Sequence, residues 1–309
     1  MNDKIKIIAV VGPTASGKTA LAVEIAKKYG GEIISADSMQ IYKGMDIATA
    51  KPTDEEKQGI PHHLMDFLDP KEGFSVSQYV ELAHKAAAEI TGRGKLPVLC
   101  GGTGLYVRSF LENITFAQEN TDPELRKKLE ARYDTQGGQA MIDHIRSFDP
   151  QTAEKLIPSQ RKRIIRAIEL YESTGRTMSR QLEDSRKNPS PYDVTAIGLT
   201  CRDRQKLYDR INRRVDIMLE KGLLQEAKAF YSEYKGQTAS AAIGYKELKP
   251  YLDGEISLEE AAEKLRLETR HYAKRQLTWF RRDEYIHWIE TDMCEDVFGE
   301  AEKIIDRFM

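Results

Sequence analysis

The sequence has few cysteines and no long apolar run, and both shortages limit what the protein can be. Its three cysteines are far apart and form no C-x-x-C pair, which argues against a zinc module or a disulfide framework. No window approaches the roughly 18 apolar residues that a membrane-spanning helix needs. The apolar run near the N-terminus is too short for a signal peptide. We therefore expect a cytoplasmic protein with no membrane partner.

An excess of one charge is also lacking, because 47 lysine and arginine residues are balanced by 49 aspartate and glutamate residues. The formal net charge of −2 argues against a uniformly basic nucleic-acid-binding protein, although it says nothing of local clusters. The chain has 309 residues, of which 40% are hydrophobic and 31% are charged. That is enough for one large α/β domain with an insertion, or for two modest domains.

The most informative segment is a glycine-rich loop at residues 12–19, which fits the pattern G-x-x-x-x-G-K-[ST]. A β-branched run precedes the loop, and a helical pattern that stops at Gly30 follows it. A loop in this context binds a diphosphate, because backbone N–H groups and a helix N-terminus face the anion. We expect Lys18 to reach the terminal phosphate and Thr19 to bind Mg²⁺. The expected diphosphate-binding residues of the loop are Gly12, Pro13, Thr14, Ala15, Ser16, Gly17, Lys18 and Thr19.

Two more buried-strand patterns end in polar or glycine-rich segments. Residues 32–36 lead directly to Asp37, and residues 96–100 lead to a glycine-rich turn that contains Thr103. The alternation of strands and helices predicts an α/β fold with a doubly wound parallel sheet, in which the carboxyl ends of the strands meet at one edge. We therefore expect these two segments and the glycine-rich loop to line one site.

The strand signal disappears from about residue 115 to residue 191. In this stretch Asp122 and Asp149 each precede a proline, the form of a helix N-cap followed by proline at the first helical position. This predicts an all-helical insertion at residues 116–189 within a core of residues 1–115 and 190–309. In the core, capping boxes that begin at Ser75 and Ser257 predict two further helices, the second of them long.

Positive charge gathers in three helical segments. Their basic residues are Arg161, Lys162, Arg163 and Arg166 in the insertion, Arg210, Arg213 and Arg214 in the core, and Arg266, Arg270, Lys274, Arg275, Arg281 and Arg282 near the C-terminus. Interleaved aromatic residues such as Trp279 are typical of single-stranded nucleic-acid sites. Like charges four residues apart repel unless anions lie alongside, and a phosphate backbone would supply them. The alternative is that acidic residues from other elements balance these helix faces.

Taken together, the motifs resemble the tRNA dimethylallyltransferases, also called tRNA isopentenyltransferases, over nearly the whole chain. The resemblance rests on five ordered segments, at residues 12–19, 37–52, 101–106, 243–247 and 269–281. The glycine-rich loop alone is shared by many enzymes, whereas the ordered set of five is specific to this family.

The resemblance implies transfer of the dimethylallyl group of dimethylallyl diphosphate to N6 of the adenosine immediately 3′ of the anticodon in tRNA. It also implies a P-loop kinase-like core with a parallel β-sheet flanked by helices, an all-helical insertion domain and a Mg²⁺ requirement. We expect a monomer. The contacts to the tRNA anticodon stem-loop are expected at Asp37, Ser38, Met39, Gln40, Thr103, Arg126, Lys162, Arg163, Arg166, Lys274, Arg275, Gln276, Trp279 and Arg281.

The residues fit this chemistry through a mechanism that we state as a hypothesis. Diphosphate leaves an allylic carbon, so Lys18, the loop N–H groups, Mg²⁺ and Arg214 would stabilise the negative charge that grows on the leaving oxygen. Asp37 would accept the proton of the adenine amine, a weak nucleophile. Thr103 would hydrogen-bond the base or the leaving group. The adenosine must leave its stack, and basic and aromatic contacts would offset that cost.

Three other functions share parts of this pattern. An ATP-dependent kinase of a small molecule or nucleotide would use the same loop, with Asp37 holding a substrate hydroxyl or Mg²⁺. An RNA-binding switch would hydrolyse a nucleotide without modifying RNA. A prenyltransferase acting on free adenine nucleotides would need no tRNA contacts. The basic C-terminal helix favours a large polyanionic substrate over the small substrate of a kinase and over a free nucleotide. The switch would need both a Mg²⁺-binding aspartate at a strand end and a group that positions water, and only Asp37 is a candidate.

Overall fold

A computed structural model describes residues 4–116, 122–234, 239 and 242–309 of the chain. Its strands are β1 (Ile5–Val11), β2 (Gly31–Ser35), β3 (His62–His63), β4 (Leu96–Gly101), β5 (Tyr192–Thr200) and β6 (Ile286–Glu290). They form one sheet in the order β3-β2-β4-β1-β5-β6, and each described pairing is parallel. The predicted α/β class is confirmed.

The described helices are α1 (Lys18–Tyr29), α2 (Asp54–Lys57), α3 (Val76–Gly92), α4 (Gly104–Leu111), α5 (Pro123–Arg146), α6 (Pro150–Ala153), α7 (Arg161–Thr174), α8 (Met178–Arg186), α9 (Arg204–Glu220), α10 (Leu223–Glu233), α11 (Tyr245–Leu252), α12 (Leu258–Phe280) and α13 (Val297–Asp306). Helices α1 and α13 share one hydrophobic core with the strands, while α3 packs against β2 and β4. Among the helices with described coordinates, none is both long and apolar enough to cross a bilayer.

Strand β1 lies inside the sheet, between β4 and β5, and its sequence explains this position. Residues 7–11 are apolar and at most 1% exposed. A parallel strand buried on both faces has a continuous apolar sequence rather than an alternating one. Because β1 is central, the loop that follows it lies at the carboxyl edge of the sheet, between the loops of its neighbours.

Local capping signals fix the helix starts that the sequence predicted. The side chains of Ser75 and Ser257 accept hydrogen bonds from the backbone N–H groups of Gln78 and Glu260, and both capping boxes are complete. Asp122 and Asp149 are the N-caps of α5 and α6, and each is followed by proline. These predictions are confirmed, because a cap depends only on residues three or four positions apart.

The chain divides into two compact units. The first consists of Met1–Leu111 and Pro191–Met309 and contains the sheet, and the second is Glu112–Ser190. In the second unit the described regular elements are helices, α5 to α8. The second unit has its own core, formed by Leu129, Met141, Ile142, Ile145, Ile164, Ile165 and Ile168 among others.

Another hydrophobic cluster of the first unit supports the segment after β2. It joins Ile41, Tyr42 and Met45 of that segment to side chains of α9, α10, α11 and α12, including the buried Tyr245 and Leu265. The segment that follows Asp37 is therefore packed against four helices that come much later in the sequence.

Candidate active site

A cavity of about 380 Å³ lies where β1, β2 and β4 end. Its polar lining includes Thr14, Lys18 and Thr19 after β1, and Asp37 after β2. The backbone of Gly101 and Gly102, at the end of β4, also lines it. The structure therefore brings together the three strand-end segments that the sequence predicted would meet.

The rest of the cavity wall contains a contiguous apolar patch. Seven apolar lining residues belong to a single hydrophobic cluster, namely Met39, Ala48, Val215, Met218, Ala242, Ile243 and Leu265. The helical pattern of α9 predicted that Val215 and Met218 face inward, but it did not indicate that they line a ligand site. The cavity can hold a molecule that is anionic at one part and aliphatic at another.

The phosphate loop has the backbone geometry of an anion site. Gly12 has φ 140°, and a Cβ at this position would lie 2.5 Å from the carbonyl oxygen of Leu199, so only glycine fits. Helix α1 begins at Lys18, at the end of the loop, so the unpaired N–H groups of its first turn lie there. This arrangement fits a bound phosphate group.

Lys18 folds back onto the loop, where its Nζ donates a hydrogen bond to the carbonyl oxygen of Pro13 at 2.6 Å. The pKa of Lys18 is lowered to about 8, mainly by burial; Cys100 and Asp37 act to raise it, and the charge of Arg214 acts to lower it. Burial also lowers the pKa of Arg214. A bound diphosphate would favour the charged forms of both cations, because its negative charge opposes the effect of burial.

Asp37 has a structural contact as well as a position in the cavity. Its Oδ1 accepts hydrogen bonds from the backbone N–H groups of Met39 at 2.9 Å and Gln40 at 3.3 Å. The second oxygen, Oδ2, takes no part in these two bonds. Oδ1 therefore stabilises the turn, and the predicted acceptance of a proton in the cavity would use Oδ2.

Thr103 connects the segment after β4 to the segment after β2. Its Oγ1 accepts the backbone N–H of Ser38 at 3.0 Å and lies 3.3 Å from the Ser38 hydroxyl, to which it donates. Its own backbone N–H donates to the carbonyl oxygen of Ala36. The side chain of Thr103 thus holds the Asp37 turn in place, and its contact with substrate stays a prediction.

Gln276 and Trp279, two expected tRNA contacts, pack inside the first unit. Gln276 is 5% exposed, its Oε1 accepts the N–H of Thr14 at 2.8 Å, and its Nε2 donates to the carbonyl oxygen of Gly102 at 3.0 Å. The indole of Trp279 lies against Gly104, where a Cβ would come within 2.1 Å of Cδ1. Both ends of the Gln276 amide are engaged by the protein, so this residue ties α12 to the phosphate loop.

The Gln276→Leu substitution should therefore weaken the site from within. It removes the partner of the buried Gly102 carbonyl group and of the partly buried Thr14 N–H, and we expect the free energy of unfolding to fall by about 1–3 kcal/mol for the first and by less for the second. The Kd for a diphosphate ligand should rise as the loop loosens. Denaturant unfolding and calorimetric titration measure the two effects, with Gln205→Leu on the exposed face of α9 as the control. Wild-type values for both quantities would show that the bridge is dispensable.

The structure separates three arginines of α9 that the sequence could not distinguish. Arg214 lines the cavity, whereas Arg210 donates to the hydroxyl of Thr291 at 2.8 Å and Arg213 is exposed. Of these three, only Arg214 is placed to meet a diphosphate.

The basic face of α12 is only partly available to an RNA. Arg266 pairs with Asp216, Glu259 and Glu263 at 2.7–3.2 Å, and Arg270 bonds Asn212 and Glu263. For these two arginines the balanced-charge alternative is correct. Further along the helix and just beyond it, Lys274, Arg275 and Arg281 are exposed, and the Arg275 guanidinium lies 5.8 Å from the ring centroid of Tyr272.

In the helical unit, two expected tRNA contacts share a carboxylate. Arg126 and Arg166 lie 3.2 and 3.4 Å from Oε2 of Glu169, a side chain that is 5% exposed. Lys162 and Arg163 are exposed on the same unit. A phosphate would have to compete with Glu169 for the first two residues but not for the last two.

Sequence reasoning singled out neither the apolar wall nor Tyr272, although Tyr272 lies within the fifth family segment. Tyr272 lines the cavity, and burial raises the pKa of its phenol despite hydrogen bonding with Thr103 and Gln276. The sequence around Tyr272 gives no signal of this position, because Thr103 and most of the cavity lining come from other parts of the chain.

Comparison with known proteins identifies relatives along nearly the full chain. A family model described as IPP transferase matches residues 40–283. The tRNA dimethylallyltransferase of Acetivibrio thermocellus is 52% identical over 301 residues, which cover 97% of this chain and 95% of that protein.

Solved structures of two such proteins are also similar to this one over nearly the full chain. The full-length tRNA isopentenylpyrophosphate transferase of Bacillus halodurans has a TM-score of 0.71 and 45% identity, covering 98% of this chain and 94% of that one. A eukaryotic dimethylallyltransferase described as acting on tRNA has a TM-score of 0.81 and 29% identity, covering 97% of this chain and 78% of that one. The fold described above is therefore the fold of these proteins.

Proposed function

Because the chain belongs to the IPP transferase family, whose relatives are tRNA dimethylallyltransferases, we propose the following reaction for it. It is a prenyltransferase that transfers a dimethylallyl group to tRNA. The donor is dimethylallyl diphosphate, the acceptor is N6 of the adenosine immediately 3′ of the anticodon, and diphosphate is released. The kinase alternative has no comparable support, since the relatives described above are named as prenyl transferases.

The observation that carries this proposal is the mixed lining of the cavity. A diphosphate suits Lys18, Arg214 and the phosphate loop, and a short branched hydrocarbon suits the patch that includes Val215, Met218 and Ile243. A nucleotide kinase needs no aliphatic wall beside its phosphate loop. Burying a five-carbon chain would contribute about 0.8 kcal/mol for each carbon removed from water.

The mechanism follows from the charges around this cavity. The bond between the allylic carbon and the diphosphate oxygen breaks, and a bond from N6 of adenine to that carbon forms. Lys18 and Arg214 stabilise the departing diphosphate. Asp37 accepts the proton released from N6. General-base catalysis of this kind accelerates a reaction by up to about 10⁴-fold.

We propose Mg²⁺ as the cofactor, held by the Thr19 hydroxyl together with substrate oxygens and water. The Thr19 side chain lines the cavity beside the proposed diphosphate position. In the part of the chain with described coordinates there is no cluster of three or more His, Cys, Asp or Glu side chains that could cage a metal. One protein hydroxyl together with substrate oxygens and water is a donor set that fits Mg²⁺, which keeps several waters and binds substrate phosphates. When bound, Mg²⁺ neutralises charge on the diphosphate.

We further propose that the protein acts as a monomer in the cytoplasm, with the helical insertion at residues 116–189 contributing tRNA contacts. In the helical unit, Lys162 and Arg163 are proposed to bind tRNA phosphates, because they are exposed and positively charged.

One assay tests the proposed function directly. The purified protein is incubated with Mg²⁺, radiolabelled dimethylallyl diphosphate and an unmodified tRNA anticodon stem-loop, with ATP and free AMP in parallel reactions. We expect label in the RNA without ATP. Phosphate release from ATP with no label in RNA would contradict the proposal and favour a kinase. Label in AMP alone would identify a free nucleotide as the acceptor.

The basic surface gives a separate prediction. The Lys274→Ala/Arg281→Ala variant should bind tRNA more weakly, and the slope of log K against log salt should decrease in magnitude by about 0.7–0.9 for each phosphate that the variant no longer neutralises. Arg266→Ala is the matched control, because its charge is already balanced by three carboxylates, so its slope should equal that of the wild type. Filter binding over a range of salt concentrations gives both slopes. An unchanged slope in the double variant would show that Lys274 and Arg281 do not neutralise tRNA phosphates.

A further inference from the structure

The half-buried side chain of Glu226 on α10 holds a loop that lines the cavity. Its Oε2 accepts the backbone N–H groups of Asp46 at 2.9 Å and Ile47 at 2.7 Å. Its Oε1 accepts the N–H of Ala48 at 2.9 Å and the hydroxyl of Tyr245 at 3.0 Å. Three consecutive backbone N–H groups thus converge on one carboxylate, a geometry in which backbone donors bind an anion.

The loop held in this way contacts Gln40, one of the residues expected to contact the tRNA anticodon stem-loop. Ala48, Thr49 and Ala50 line the cavity together with Gln40. The carbonyl oxygens of Thr49 and Ala50 accept hydrogen bonds from Nε2 of Gln40 at 3.1 and 3.2 Å. Both N–H groups of the Gln40 amide therefore point to the loop, at a place where Ala50 has a positive φ of 48°.

This arrangement determines which atom of Gln40 a ligand can use. The oxygen Oε1 accepts one bond, from the Ser35 hydroxyl at 3.3 Å, and an amide oxygen has two lone pairs. With Nε2 held by the loop carbonyls, Oε1 is the part of the amide that can accept an N–H from a substrate. If the loop shifted, the amide could rotate and present donors instead.

We propose that Glu226 is a positioning residue for the acceptor side of the site: it fixes the backbone of residues 46–50 and thereby orients Gln40 to accept a hydrogen bond from the acceptor base. This inference rests on the proposed function. The loop has independent support, because Lys51 donates to the carbonyl oxygen of Tyr42 and pairs with Asp46 and Asp66. Loss of the Glu226 carboxylate should therefore alter the loop locally and leave the fold intact.

The test uses the full chain with labelled dimethylallyl diphosphate and unmodified tRNA. Glu226→Gln keeps the size of the side chain but turns one acceptor oxygen into an NH₂ group that faces backbone donors. We expect kcat/KM for tRNA to fall by about 10–100-fold, as for other misplaced substrate-positioning groups. The Kd for dimethylallyl diphosphate should rise much less than kcat/KM for tRNA falls, because Ala48 is one of seven residues of the apolar patch and the other six lie outside this loop. Glu220→Gln, at an exposed glutamate of α9, is the matched control.

A double-mutant cycle with Gln40→Ala separates positioning from a general structural role. If Glu226 acts through Gln40, adding Gln40→Ala to Glu226→Gln should lower kcat/KM little further, because coupled residues give non-additive effects. Effects that multiply, or an equal loss of affinity for both substrates, would overturn the proposal. If Glu226→Gln shows no cooperative unfolding transition, Glu226→Asp is taken through the same cycle with the same criteria.

The transfer reaction and the positioning role of Glu226 would be contradicted by different results. A wild-type protein that transfers no label to tRNA contradicts the proposed function. Wild-type transfer combined with multiplying effects of the two substitutions contradicts the role of Glu226 alone.

Discussion

Replacement of Asp37 by asparagine should lower the single-turnover rate of dimethylallyl transfer to tRNA by about 10²–10⁴-fold, the usual contribution of a general base. The substitution is conservative here. Asparagine keeps a side-chain oxygen that can accept the N–H groups of Met39 and Gln40, so the turn should be preserved. What is lost is the negative charge and the ability to take a proton from N6.

The measurement is a rapid-quench single-turnover assay with saturating dimethylallyl diphosphate, accompanied by the Kd of each substrate. Asp203→Asn is a matched control, because Asp203 caps α9 in a similar way, by accepting the N–H of Gln205. If Asp37 held Mg²⁺ instead of a proton, added Mg²⁺ should restore the rate of the asparagine variant. We expect no restoration, and near-normal transfer by Asp37→Asn would rule out its role as the base.

Replacement of Lys18 by methionine should lower kcat/KM for dimethylallyl diphosphate by about 10²–10³-fold, the loss typical of removing one donor to a developing oxyanion. Methionine retains much of the length of the side chain and removes its charge. In the wild type, Lys18 shares the cavity lining with Arg214, is partly buried, and has its pKa lowered mainly by that burial. Its interaction with a leaving diphosphate is therefore stronger than that of an exposed lysine.

Steady-state kinetics with varied dimethylallyl diphosphate, together with its Kd, measure this effect. Lys27→Met is the matched control on the same helix, because Lys27 is exposed and donates only to Gln58 among its described hydrogen bonds. The loss should appear in kcat as well as in binding, since negative charge grows on the diphosphate as the bond breaks. A change confined to KM would limit Lys18 to binding the ground state.

Much of the fold could be predicted because its signals are local. The apolar run of β1 and the glycine-rich loop after it are contiguous in the sequence, as are the capping boxes at Ser75 and Ser257. Each signal reports on backbone geometry within a few residues. The meeting of three strand ends at one cavity then follows from parallel topology, in which all carboxyl ends share an edge.

The roles of the basic residues could be predicted less well. Spacing alone placed Arg266, Arg270 and Lys274 on one face of a helix, and it suggested a polyanion for all three. The structure gives Arg266 three carboxylate partners, one of which, Asp216, comes from α9. Helical periodicity shows which residues share a face, but it does not show which face a neighbouring helix covers.

The sequence by itself determined the phosphate loop, the α/β class and the position of Asp37 at the end of a strand, since each depends on residues adjacent in the chain. Only the tertiary structure decided that Gln276 bridges Thr14 and Gly102, and that Glu226 holds the backbone of Asp46 from 180 positions away. Hydrogen bonds between distant segments depend on how helices and loops pack, and packing is a property of the whole chain rather than of any local pattern.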